Sequence, residues 1–141
     1  MNFDLSGWKA EMWRKQAVHV PELSAPGYNP SHEQCVVAGY LVFVAGQTGF
    51  RNGKISSEFS GQVRQAFANI EVALKAANAQ LTDIVSMTVF LTDVRNQPEF
   101  SKIRQEILGS DNLSSSATIG IRQLFDPRAM IEIQATAVRP A

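Results

Sequence analysis

At 141 residues the chain has the length of one domain, and folding it should bury roughly two thirds of the surface its unfolded form exposes, so no covalent staple is needed. The hydrophobic fraction is 45%, the charged fraction 18%, and 13 basic residues balance 13 acidic ones. A formal charge of zero provides no general electrostatic drive toward nucleic acid or anionic membrane, and it is compatible with close packing of identical subunits.

Cys35 is the single cysteine, which excludes an internal disulfide framework, agrees with a reducing cytoplasm, and reads as a small buried core residue. The start, Met1-Asn2-Phe3-Asp4, has no basic segment followed by an apolar core and so does not resemble a secretory signal. No run of ~18 apolar residues argues for a membrane span.

Residues 1 to 34 have no dominant period and carry Pro21, Pro26, Pro30, Gly27 and Asn29, which reads as a loop-rich lead-in to a single domain over 1–141. A short strand is expected around Ala17 to Val20. Trp8, Met12 and Trp13 fit one side of a helical turn that docks on the body or on a neighbouring subunit. Cys35 to Val37 and Leu41 to Ala45 are apolar and β-branched around Gly39-Tyr40, which predicts a tight hairpin. Gly46-Gln47-Thr48-Gly49 follows; it either forms a turn or presents bare backbone N–H groups to a ligand. Arg51-Asn52-Gly53-Lys54 marks a further turn.

Glu58 to Ala77 is the clearest helix, because Val63, Phe67, Ile70, Leu74 and Ala77 recur at helical spacing with Ala66 and Ala73 widening the stripe. Asn78 suits the left-handed residue that ends it. Ile84 to Thr92 is a strand with Val85, Met87, Val89 and Leu91 on one face and Ile84, Ser86, Thr88 and Phe90 on the other. Pro98 can occupy the first turn of a second helix reaching about Leu108, with Phe100, Ile103 and Ile107 inward. Ala117 to Ile121 is the penultimate strand. The last, Ile131 to Val138, alternates Ile131, Ile133, Ala135 and Ala137 against Glu132, Gln134 and Thr136. The order ββαβαββ predicts an α+β domain: a mixed sheet with both helices on one face. The other face is semi-polar, and association with further copies would cover it.

Few residues can carry chemistry. His19 and His32 are the only histidines, and neither lies near a Cys or carboxylate at a ligand spacing, so no metal is expected. Phosphate-loop, dinucleotide and nucleophile-elbow strings are absent, and no cofactor is called for. Arg51, Lys54, Arg64 and Lys75 are too scattered for a nucleic-acid reader. Glu132 is the best acid or base candidate, since a carboxylate on an interior strand face is paired, hydrogen-bonded or working. His32, after a Pro-rich loop, is either a surface residue or a proton carrier near neutral pH.

Four strings in order resemble the Rid family of reactive-intermediate deaminases, also called the YjgF family. They are Gly39-Tyr40-Leu41-Val42-Phe43-Val44-Ala45-Gly46-Gln47, Gln62-Val63-Arg64-Gln65-Ala66-Phe67-Ala68-Asn69-Ile70, Thr88-Val89-Phe90-Leu91-Thr92-Asp93, and Ile131-Glu132-Ile133-Gln134-Ala135-Thr136-Ala137-Val138. The resemblance covers about residues 30 to 139, leaving 1–30 as an extension. It implies a chorismate-mutase-like homotrimer with three small-molecule sites in clefts between subunits. Members with the full motif hydrolyse enamines and imines such as 2-aminoacrylate to the keto acid and ammonia.

By that resemblance Glu132 positions the attacking water, the Gly46 backbone contacts substrate, Ala45 replaces a usual Ser, and His32 falls where a Tyr is common. The family anchors its substrate carboxylate with an Arg at the start of the penultimate strand. Here Ser116 holds that position, or Ala117 in a register shifted by one residue, so neither register supplies an Arg; Thr118 lies two residues beyond Ser116. Arg122 shares the strand parity of Ser116 but lies roughly 20 Å on, whereas Arg104 or an Arg of a neighbour can still reach it. A charged hydrogen bond contributes about 1.5 to 3 kcal/mol, so this loss argues against a simple 2-imino acid as substrate.

The sequence thus points to an enamine or imine hydrolase acting on another substrate, with Glu132 and His32 as catalytic residues and Gly46, Ala45, Ser116 and Thr118 around the substrate. Its rivals are a non-catalytic metabolite-binding homologue and, more weakly, the endoribonuclease or translation-inhibitor activity attributed to parts of the family.

Overall fold

The computed structural model describes residues 13–24 and 31–140. Trp8 and Met12 lie outside the described residues. Six strands form one sheet: β1 Gln16–Ala17, β2 Cys35–Ala38, β3 Leu41–Thr48, β6 Ile84–Leu91, β7 Ser115–Gly120 and β8 Ile131–Val138. Their spatial order is β1-β2-β3-β8-β6-β7, antiparallel except for the parallel pair β6 and β7. A small hairpin, β4 Phe50–Arg51 and β5 Lys54–Ile55, stands apart from it. Its turn uses Asn52 and Gly53 with φ of 52° and 74°, the left-handed pair that matches the twist of a two-residue hairpin.

Helices α1 Phe59–Ala76 and α2 Gln97–Leu108 pack on one face of the sheet, as the α+β pattern predicts. Val63, Phe67, Ile70 and Leu74 of α1 and Phe100 and Ile103 of α2 are buried against Val42, Val44, Met87, Val89, Leu91, Ile131 and Ile133. The rings of Phe67 and Phe100 stack with centroids 6.2 Å apart and so join the two helices. Asn78 takes φ 60° just beyond α1, as its position suggested. Trp13 lays its indole over Gly39, where a Cβ would come within 2.8 Å of the ring. The lead-in is thereby tied to the β2–β3 turn. Cys35 is fully buried, and burial pushes its thiol up to about 11, which leaves it inert near neutral pH.

Two irregularities alter the simple alternation. In β6 the pairing with β8 shifts between Ile84 and Ser86, so one extra residue is accommodated and the parity before it reverses. Ile84 is therefore buried and Val85 is 44% exposed, the opposite of the strict alternation expected for this strand. In β3 the shift lies between Val44 and Gln47. The strand consequently runs on through Gly46 to Thr48 instead of ending at Ala45, and Val42, Val44 and Gln47 all point into the core. β7 begins at Ser115, two residues earlier than Ala117.

The second face of the sheet is covered by no element among the described residues. Phe43, Val138 and Ile119 lie 43%, 40% and 42% exposed on it.

Candidate functional site

The site is assembled around the β3 bulge. Glu132 of β8 pairs on one side with Thr48 of β3 and on the other with Phe90 of β6, so its carboxylate rises from the centre of the open face. The bulge brings Gly46 beneath it. A Cβ built on Gly46 would lie 2.8 Å from Glu132 Cδ, so only glycine leaves the carboxylate room. Glu132 is half-buried and hydrogen-bonded to none of the described residues, and burial raises its carboxyl above the ordinary carboxylate range. A carboxylate in this condition is a stronger base than one in water.

Buried amides hold the bulge, Thr48 and the segment that leads into Glu132 in place. Gln47 Nε2 donates to Gln34 Oε1 at 2.8 Å and to the Ala45 carbonyl at 3.1 Å, while the Ala45 N–H donates to the Gln34 carbonyl at 2.9 Å. From α1, Asn69 Nδ2 donates to the carbonyls of Thr48 (3.1 Å) and Phe50 (2.8 Å). Gln62 Nε2 donates to the carbonyls of Ser56 and Arg128, and its Oε1 accepts from the Met130 N–H at 2.8 Å. One helix thus fixes Thr48, which faces Glu132, and Met130, two residues before it. Sequence reasoning missed Gln62 and Asn69. Their signal was available: amide side chains on the inward stripe with Ala66 and Ala73, where a buried polar group must be bonded.

The expected site residues divide into two groups. Glu132, Gly46 and Ala45 come together at the bulge. Ser116 and Thr118 pair with Met87 and Val89, which are core residues, and therefore share the helix-side face. On the open face β7 presents Ser115, Ala117 and Ile119. Strand rise and spacing put Ser116 roughly 14 Å from Glu132, on the opposite side of the sheet. His32 is exposed in the loop before β2, two residues ahead of the Gln34 that pins the bulge. Arg122 is exposed beyond β7.

A cation nevertheless stands at the Ser116 position. Arg104 of α2 donates from Nη1 to Ser116 Oγ at 2.9 Å, with its guanidinium carbon 4.9 Å from the centre of the Phe100 ring. Among the described residues no three His, Cys, Asp or Glu side chains gather as a metal site, and no helix is long and apolar enough to cross a membrane.

A family model described as Endoribonuclease L-PSP matches residues 22–139. The chain belongs to this family, the Rid or YjgF family. A RutC family protein of Aquifex aeolicus is 28% identical over 125 residues, spanning 86% of this chain and 98% of that one. A 2-iminobutanoate/2-iminopropanoate deaminase of Dermatophagoides farinae is 24% identical over 110 residues, spanning 76% and 84%. The crystal structure of the Rid family protein YyfA from Yersinia pestis superposes with a TM-score of 0.81 at 21% identity over 89% of this chain and 99% of that one, a likeness of fold. Relatives of this chain thus include deaminases.

Proposed function

We propose that this chain is a Rid-family hydrolase that converts an enamine or imine, other than a simple 2-imino acid, to a carbonyl compound and ammonia. The observation that carries this reading is the Glu132 carboxylate, half-buried over the bare backbone of Gly46 and hydrogen-bonded to none of the described residues.

Water adds to the carbon of a protonated C=N bond while Glu132 takes one of its protons, forming a neutral carbinolamine. Glu132 then protonates the amine nitrogen. It next removes the hydroxyl proton as the C=O bond forms and the C–N bond breaks, releasing ammonia, which carries that proton away as ammonium. Every proton taken from water is returned, and Glu132 ends ionised. The Gly46 backbone leaves the substrate room beside the carboxylate. His32 lies open to solvent, so it takes part only where a neighbouring copy covers its loop.

The site on the open face requires neighbours to exclude water, and a homotrimer with sites between subunits is the arrangement we favour. The buried Cys35 and balanced charge fit a cytoplasmic protein. Ammonia release from enamines generated in situ, some without a carboxylate, tests the reaction. Loss of at least tenfold on Glu132→Ala is expected, and equal rates would end the mechanism.

A second reading, a non-catalytic binder of metabolites, is favoured by the neutral side chains Ser115, Ala117 and Ile119 that β7 presents on the open face. Saturable ligand binding with no ammonia release would establish it. Ribonuclease activity has only the family's description behind it, and an absence of salt-sensitive RNA binding would remove it.

A further inference from the structure

Beyond this reaction, and independently of it, the helix side of the β7 edge holds a second concavity of about 210 Å³ between α2 and β7. That is smaller than the ~300 Å³ at which pockets for drug-sized ligands begin. Its walls are Leu81, Ile84, Leu108 and Leu113, and its polar end is Arg104 with Ser116. We propose that this groove binds a small aliphatic monocarboxylate, with Arg104 as its anchor.

Arg104 is held ready for an anion. The Phe100 ring supports its guanidinium at 4.9 Å, and Ser116 Oγ engages only Nη1. Among the described residues Arg104 pairs with no carboxylate, whereas Arg64, Arg95 and Arg128 each do. Ser116 accepts from Arg104 and keeps its own O–H to donate. A planar carboxylate can therefore accept from Arg104 and from Ser116 together, the geometry a guanidinium favours.

The remaining walls choose among anions. Although Thr82, Asn112 and Ser114 also line the groove, its leucine and isoleucine side chains leave the surface more apolar than polar, which suits a short aliphatic chain. Asp111 also lines the groove and is exposed, so it repels a phosphate dianion about twice as strongly as a monoanion. A carboxylate with a short hydrocarbon tail is the ligand that satisfies both ends.

Titration of the full-length, isotope-labelled protein with butyrate tests this. The expected result is a saturable shift of the Arg104 Nε–Hε signal and of the Leu81 and Ile84 methyl signals, with no saturable shift from inorganic phosphate at equal concentration. Arg104→Gln should weaken butyrate binding at least tenfold, and Arg104→Lys, which keeps the charge and loses the fork, should fall between. Should Arg104→Gln fail to fold, Ser116→Ala removes only the hydroxyl and should weaken binding several-fold. No saturable shift in the wild type, or equal binding by the folded Arg104→Gln protein, overturns the proposal. Butyrate has no C=N bond, so an absence of hydrolysis leaves this result standing.

Discussion

Glu132 occupies the space that any side chain at position 46 would need. The two residues come from neighbouring strands, and the extra residue of β3 between Val44 and Gln47 slides Gly46 under the carboxylate. Bulges beside functional groups commonly re-aim a backbone in this way. Here the bulge sets a half-buried acid over bare backbone, while Gln47 and Gln34 keep the bulge closed.

Gly46→Ala should therefore displace Glu132 without disturbing the rest of the fold. Overpacking a filled position typically costs 1–3 kcal/mol, so a destabilisation of about 1–3 kcal/mol is expected. In a Glu132→Ala background the same change should cost much less, because the clashing group is gone. Chemical denaturation of the four proteins measures the cycle; an equal cost in both backgrounds would place the clash elsewhere.

The raised carboxyl of Glu132 has a pH signature. Its folded-state pKa lies above the unfolded value because burial disfavours the charge. The folded chain thus binds more protons than the unfolded chain between the two values. The resulting stabilisation is complete below the unfolded carboxylate range and is lost as pH rises through the folded pKa. Urea unfolding at stepped pH should show wild type losing stability relative to Glu132→Gln as pH climbs from about 4.5. A difference that stays flat, or grows with pH, contradicts the assigned cause.

Much of this was legible beforehand because burial wrote a period into the sequence. The stripe Val63, Phe67, Ile70 and Leu74 marked α1, and the alternation from Ile131 to Ala137 marked β8, both with their buried faces correct. The two bulges were not legible. A one-residue slip reverses parity without changing composition, so Val85 reads as core while Ile84 takes its place. The same limit hid Gln47, whose inward direction follows only from the bulge. At the site, Glu132 and Gly46 stood out as a carboxylate on a strand and a glycine after one. That Ser116 faces α2 required the β6–β7 register, which no single-strand pattern contains.

Gln62 should matter far beyond its surface, of which almost none is exposed. Truncation to Ala leaves the Met130 N–H and the carbonyls of Ser56 and Arg128 without partners. Ser56 and Arg128 are exposed, so water can reach their carbonyls, and the half-buried Met130 N–H is the main loss. An unsatisfied group of this kind costs about 1–3 kcal/mol, read as a fall in Tm. The same variant should lose activity in the fraction that stays folded, since Met130 leads directly into the Glu132 segment. Retained stability would show that water replaces the amide.

The open face makes the last prediction. Phe43 stands opposite Thr136 on β8 and is 43% exposed, near other large apolar side chains on one continuous sheet surface. Such a patch marks an interaction site more often than a free surface, and the repeated use of one surface by identical copies gives closed symmetry. Light scattering on the wild type should return the mass of three chains. Phe43→Glu places a charge where a neighbour must desolvate it, and its mass should fall toward one chain with an unchanged far-UV spectrum. Hydrolysis should fall with it, since Glu132 shares the uncovered face. A wild-type monomer with full activity would instead show that the site is complete within a single chain.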